Sequence, residues 1–179
     1  ISAACQNGRA VVASVNKETK TANPPKLYDL TTLQREANRL YGYTAQQTLD
    51  LVQSLYEKKI CTYPRTDSQF LTADMEDTAR RVVDMVRAKM DFAQDIELVP
   101  DIGRVINNAK VADHHAIIPT AQLEKTDLAT LPETERKVLS LICFKLLCAV
   151  AEQHIFEAVT ATLECGGYSF VAKGKSVLA

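Results

Sequence analysis

Two short stretches of the 179-residue sequence gather side chains that can do chemistry. The first, Thr62-Tyr63-Pro64-Arg65-Thr66-Asp67-Ser68, puts a phenol, a guanidinium, hydroxyls and a carboxylate on one segment. Pro64 pushes Tyr63 away from the α region, and Ile60 to Tyr63 is β-branched and aromatic, so the segment is expected to be extended. Residues two apart then project to the same side, and Tyr63 and Arg65 can face one ligand together. A phenol beside a fixed cation suits attack on a phosphodiester, because the cation favours the phenolate and neutralises a phosphate oxygen. The same residues also fit a packed ring beside a surface ion pair. The second stretch, Asp113-His114-His115-Ala116-Ile117-Ile118-Pro119-Thr120, carries two of the three histidines. Imidazole can donate to a phosphate or move a proton near neutral pH. The third, His154, is expected to close an apolar helix.

Both stretches need elements to hold them. Arg9 to Val15 reads as a strand, closed by the polar run Asn16 to Asn23 and by Pro24-Pro25. Thr31-x-x-Gln34 has the form of a capping box, opening a helix with Leu33, Ala37, Leu40 and Tyr41 on one face and Gly42 as its stop. Thr44-x-x-Gln47 opens a second, with Leu49, Val52, Leu55 and Tyr56 on one side. From Thr72 to Met90 a third helix buries Met75, Ala79, Val82, Val83, Val86 and Met90, with acids in its first turns and Arg87 and Lys89 in its last. Residues 91–131 show no sustained period and are expected to be mostly loop.

A fourth helix, about 133–152, follows Thr130-x-x-Glu133 and is apolar on most sides. The period then changes to two, and residues 156–164 and 168–173 flank Gly166-Gly167 as a hairpin. The predicted class is α+β, a mainly helical domain inserted into a β-sheet domain contributed by both chain ends. Residues 1–25 start the sheet domain, 26–130 form the helical domain with Tyr63, and 131–179 return to the sheet domain as a long helix and hairpin. The sequence starts without Met and stops while still strand-like, so a piece of a larger protein is expected.

Composition sets bounds. With 46% hydrophobic and 24% charged residues, 6 Gly and 6 Pro, disorder and collagen-like structure are excluded. No apolar run approaches the ~18–20 residues of a membrane span, and the first residues lack the charged n-region and long apolar core of an export signal. The five cysteines are odd in number and scattered, as expected of reduced, intracellular core residues, and Cys143 and Cys148 have only distant histidines with which to hold zinc. The net charge of −1 argues against a strongly basic nucleic-acid binder. It hides an asymmetry: through Arg65 there are nine basic residues against five acidic, a local +4. That excess fits a local basic surface or ordinary solvated helix faces.

The two clusters in order, Ile60-Cys61-Thr62-Tyr63-Pro64-Arg65-Thr66-Asp67-Ser68 and, about fifty residues later, His114-His115-Ala116-Ile117-Ile118-Pro119-Thr120, closely resemble the type IA DNA topoisomerases of the bacterial topoisomerase III subgroup. Pro24 to Gln34 resembles the segment entering that family's helical domain, and Ala45 to Glu57 the helix before its active-site tyrosine. The resemblance implies that the β region is a hinge or gate. It implies that Tyr63 is the nucleophile that attacks single-stranded DNA, leaving a 5′-phosphotyrosine and a free 3′ hydroxyl. By the same resemblance Arg65 holds the scissile phosphate, His114 contacts DNA near the cut, and Gln34 is a DNA contact or only a helix cap. His115 stands where other branches carry glutamate.

The family's TOPRIM domain supplies a glutamate, a lysine and acids for Mg²⁺, and no Asp-x-Asp-x-Glu run occurs in this sequence. Asp74-Glu76-Asp77 and Glu133-Glu135 are better explained by helix dipoles. The resemblance therefore implies an ATP-independent type I isomerase whose Mg²⁺ is bound outside this chain, with no cofactor or metal here and no activity in the piece alone. The implied partners are single-stranded DNA and the missing TOPRIM and other domains of the same chain, with no membrane, no required oligomer and a cytoplasmic, nucleoid-associated location. The alternative is a non-catalytic, helix-turn-helix-like DNA-binding module on Thr31 to Glu57. A tyrosine recombinase is set aside, because His-x-x-Arg is absent: Ile117 and Ile118 stand three beyond the two histidines. Composition alone would favour an intracellular scaffold.

Overall fold

A computed structural model describes residues 1–6 and 8–178. The elements are α1 (Ser2–Cys5), β1 (Val11–Ala22), α2 (Leu30–Tyr41), α3 (Ala45–Glu57), α4 (Glu76–Lys89), α5 (Gln122–Lys125), α6 (Glu133–Val150), β2 (His154–Cys165) and β3 (Tyr168–Val177), an α+β fold. The chain divides into two compact units, Pro24–Glu152 and the pair of end segments Ile1–Asn23 with Gln153–Ala179. Among the described residues, no helix is long and apolar enough to cross a membrane.

The end segments form an antiparallel sheet in the order β1-β2-β3. Pairing runs from Val11 opposite Glu164 to Ala22 opposite His154, with an irregularity between Val12 and Ser14. The hairpin turns on Gly166 and Gly167, whose φ values of 58° and 80° are those of a tight left-handed turn. At Gly166 glycine is required twice over, since a Cβ would stand 2.5 Å from the Ala4 carbonyl oxygen. The first strand runs seven residues past Val15 because the polar run still pairs: Asn16 lies opposite Thr160 and Thr21 opposite Ile155. His154 opens β2, stacked on Phe156 at 5.4 Å, instead of closing a helix.

In the helical unit, α2 and α3 form a tight pair through Gly42, whose φ of 71° ends α2. The expected Thr44–Gln47 box caps α3. At α2 the box is Asp29–Thr32 instead of Thr31–Gln34, because Asp29 takes the extended φ/ψ of an N-cap and Leu30 already lies in the first turn. The third helix keeps its expected buried face on α4, after one 3-10 turn at Ala73–Met75. Residues 91–131 are loop with short turns and α5, yet they bury Ile102, Val105, Ile117, Ile118 and Leu123 in the core.

The boundary after residue 130 differs from expectation, since α6 lies within the helical unit. Its buried residues include Val138, Leu139, Leu141, Ile142, Leu146 and Leu147. A helix apolar nearly all round needs cover on several sides, and these residues join the core made by α2, α3 and α4.

Candidate active site

The segment bearing Tyr63 leaves α3 through a reversal. Lys59 takes a left-handed φ of 62°, held where its N–H donates to the Tyr56 carbonyl at 2.7 Å and where the Lys59 carbonyl accepts from Thr120 Oγ1. Ile60 and Cys61 then enter the core, and Cys61 bridges Pro119 in antiparallel fashion. Burial pushes the Cys61 thiol up to about 12, which leaves it inert near neutral pH.

From Pro64 onward, exposure alternates. Pro64, Thr66 and Ser68 are buried, Arg65 and Asp67 are exposed, and Tyr63 is half-buried. The inward hydroxyls of Thr62, Thr66 and Ser68 donate to the carbonyls of Ala116 (3.1 Å), His114 (2.9 Å) and Lys110 (2.9 Å). Thr62 also gives its N–H to Ile118 O and accepts from Ile118 N–H, both at 3.0 Å. Three hydroxyls at alternate positions thus fasten the tyrosine segment to the histidine loop, running in opposite directions. The outward set is what this leaves for a ligand.

That fastening sets Tyr63 against His114, with ring centroids 4.4 Å apart at 47°. On its other side Tyr56 meets Tyr63 edge-on at 5.4 Å and 77°. Arg65 is exposed and makes no hydrogen bond or ion pair among the described residues. His115 is half-buried, and its Nδ1 lies 2.8 Å from the Ala116 carbonyl, which makes that nitrogen the donor. Gln34 does not join this group: its amide donates to the Ala45 carbonyl at 3.0 Å, tying α2 to the first turn of α3. Sequence reasoning placed Tyr56 only on a helix face. Its position seven residues before Tyr63, across the reversal at Lys59, was the available signal.

A phenol, an imidazole and a guanidinium do not make the oxygen-rich donor set that Mg²⁺ requires. Among the described residues no cluster of three or more His, Cys, Asp or Glu could hold a metal ion. Residues around Tyr63 therefore do not fit the metal the resemblance implies, and no step through a metal is assigned to this chain.

A family model described as DNA topoisomerase matches residues 1–179. The chain belongs to the type IA DNA topoisomerases. It is similar to DNA topoisomerase 3 of Bacillus subtilis, 40% identical over 178 residues that cover 96% of this chain and 24% of that protein. DNA topoisomerase 3 of Bacillus licheniformis is 39% identical over 183 residues, covering 99% of this chain and 25% of that one. The full-length topoisomerase I of Thermotoga maritima shares the fold, with a TM-score of 0.67 at 23% identity over 94% of this chain and 28% of that one. This type IA chain thus spans about a quarter of the length of the curated relatives it matches.

Proposed function

We propose that this chain carries the strand-cutting tyrosine of an ATP-independent DNA topoisomerase that works on single-stranded DNA in the bacterial cytoplasm. The reading rests on one observation above all, the half-buried Tyr63 ring packed on His114, with Arg65 exposed two residues on. In this mechanism Tyr63 Oη attacks a backbone phosphorus, an O–P bond forms, and the bond from phosphorus to the 3′ oxygen breaks. The leaving oxygen takes a proton to become a 3′ hydroxyl, and the phosphate stays on the tyrosine through its 5′ side. Reversal rejoins the strand, so the bond energy is conserved without ATP.

Arg65, with its guanidinium free, holds the phosphate oxygens as charge builds on them. His114 holds the Tyr63 ring by a tilted ring contact and reaches the DNA beside the cut. Gln34 acts through the α2–α3 pairing and touches no DNA. Acids outside this chain would hold Mg²⁺, and a base among them would take the phenol proton and an acid return one to the 3′ oxygen, so this piece alone is expected to cleave nothing. The sheet unit serves as the hinge that lets another strand through.

The test uses the complete protein carrying this chain, end-labelled single-stranded DNA and Mg²⁺, read on a denaturing gel. The expected result is protein joined to the 5′ phosphate, abolished in Tyr63→Phe. An adduct that survives that change overturns the assignment. Binding with no adduct in the unsubstituted protein favours the non-catalytic DNA-binding module.

A further inference from the structure

A groove of about 410 Å³ opens beside α2, lined by Lys26, Arg35, Arg39 and Lys145 together with Thr32 and Gln69. Four cations face one carboxylate there, Glu36, in a chain whose net charge is −1. Both oxygens of Glu36 are engaged: Oε1 with Arg39 at 3.3 Å and Oε2 with Lys145 at 3.0 Å. Lys145 also stands 4.6 Å over the buried Tyr28 ring. The carboxylate therefore fixes two cations in place and leaves the groove positive.

Lys26 and Arg35 are exposed and form no ion pair among the described residues. Next to Gln69 on the chain, the Phe70 ring lies between Lys26 at 5.5 Å and Lys110 at 5.0 Å. Three of the four groove cations come from the first third of the sequence, where the basic excess lies. Sequence alone left that excess open between a basic surface and ordinary helix faces. The fold collects it along one groove.

We infer that this groove is a second contact for the sugar-phosphate backbone of single-stranded DNA, distinct from the Tyr63 pair. Gln69 offers a neutral donor among the cations, whereas the Thr32 hydroxyl is engaged by Asp29 at 2.7 Å in the cap of α2. The segment from Tyr63 to Phe70 joins the two places along the chain, with Arg65 and Asp67 exposed between them. Spaced cations beside an aromatic ring are what sequence-independent binding of single strands uses. The inference builds on the topoisomerase reading.

The experiment compares the complete protein with its Lys26→Ala/Arg35→Ala variant and with an Arg80→Ala/Arg81→Ala control on α4. Affinity for a single strand of about 30 nucleotides, long enough to leave the Tyr63 site, is measured over a series of salt concentrations. The groove variant is expected to bind about tenfold more weakly at low salt, with a salt slope shallower by about 1.4, or about 0.7 for each lost phosphate contact. The control is expected to bind as the parent does, and all three are expected to give the same Tyr63 adduct at saturating concentrations of that strand, where affinity no longer limits the yield. An unchanged slope in the groove variant, or an equal loss in the control, overturns the inference. A changed slope with no adduct in any of the three overturns the Tyr63 reading and leaves the groove standing as a DNA contact.

Discussion

In the helical unit Leu33, Val52, Leu55, Leu139 and Leu146 are sealed from water, whereas in the sheet unit Cys165 is the only described core residue. There Val12, Val171 and Val177 stand 55%, 60% and 71% exposed. One unit is held by apolar packing. The other is held by backbone ladders and by a turn that only glycine fits. The Tyr63 segment belongs wholly to the packed unit, and its hydroxyl fasteners bond to loops that the same core anchors through Ile117 and Ile118. Precision at the site and looseness in the sheet therefore do not conflict.

The sharpest way to break this contrast is to truncate one apolar side chain in each unit. Leu146→Ala is expected to cost about 2–5 kcal/mol, the transfer free energy plus a cavity that close packing cannot refill. Val171→Ala is expected to stay within about 0.5 kcal/mol, because its side chain already meets water. Urea unfolding of the complete protein, followed by probes placed in each unit, measures both. Equal costs would mean that the sheet carries a core of its own.

A second prediction asks whether the fasteners matter to the site. Thr62→Val keeps the shape but removes the donor to Ala116 and the acceptor for Ile118 N–H. Leaving those groups unpaired is expected to cost about 2 kcal/mol. Because the loss frees the histidine loop, adduct formation at Tyr63 is expected to fall further than DNA affinity does. If affinity and adduct fall together, Thr62 is holding the fold and not the site.

What could be read in advance follows the range of the forces. The Thr44–Gln47 cap and the Gly166-Gly167 hairpin were legible because each is decided within four residues. The length of β1 was not, because Asn16 to Ala22 is strand only by virtue of its partner on β2, about 140 residues away. The helix α6 was expected to belong with the sheet domain, since an all-round apolar surface does not name its neighbours. Gln34 resembled a cap until Asp29 took that place and freed its amide for Ala45.

Glu135 shows the same limit at higher energetic stakes. In sequence it is one more acid in a helix's first turn. In the fold it is buried, accepting from Ser54 Oγ at 2.9 Å and from Lys58 Nζ at 2.5 Å, and so it clamps the end of α3 just before the reversal that leads to Tyr63. The side chains are unequal, 8% exposed for Glu135 and 41% for Lys58. Lys58→Met strands a carboxylate with one hydroxyl and is expected to cost about 1.5 kcal/mol. Glu135→Gln releases an ammonium that water can reach and is expected to cost less than about 1 kcal/mol. The reverse order would place the pair's value in the lysine stem's packing.

The smallest effect separates the units by charge. Partial burial pushes the Glu36 carboxyl up, but bonds from Lys145, Tyr28 and Arg39 together outweigh it and hold the group below its ordinary value of 4.5. A carboxyl lowered by folding adds stability that is fully present above about pH 4.5 and is lost as pH falls through the lowered value. Cys148 is the other titratable neighbour, its thiol pushed up by burial, and it stays neutral throughout that acid range. The stability difference between the protein and Glu36→Gln is therefore expected to be constant near neutrality and to shrink below pH 4.5. Glu18 on β1 is also held low, by Lys20 and Asn16, but it lies in open water. Salt screens such a pair, so Glu18→Gln in about 0.15 M salt is expected to leave the acid limb of the unfolding curve where it was. A shift at Glu18 as large as that at Glu36 would show that β1 is covered in the complete protein and that the two units do not differ in their exposure to water.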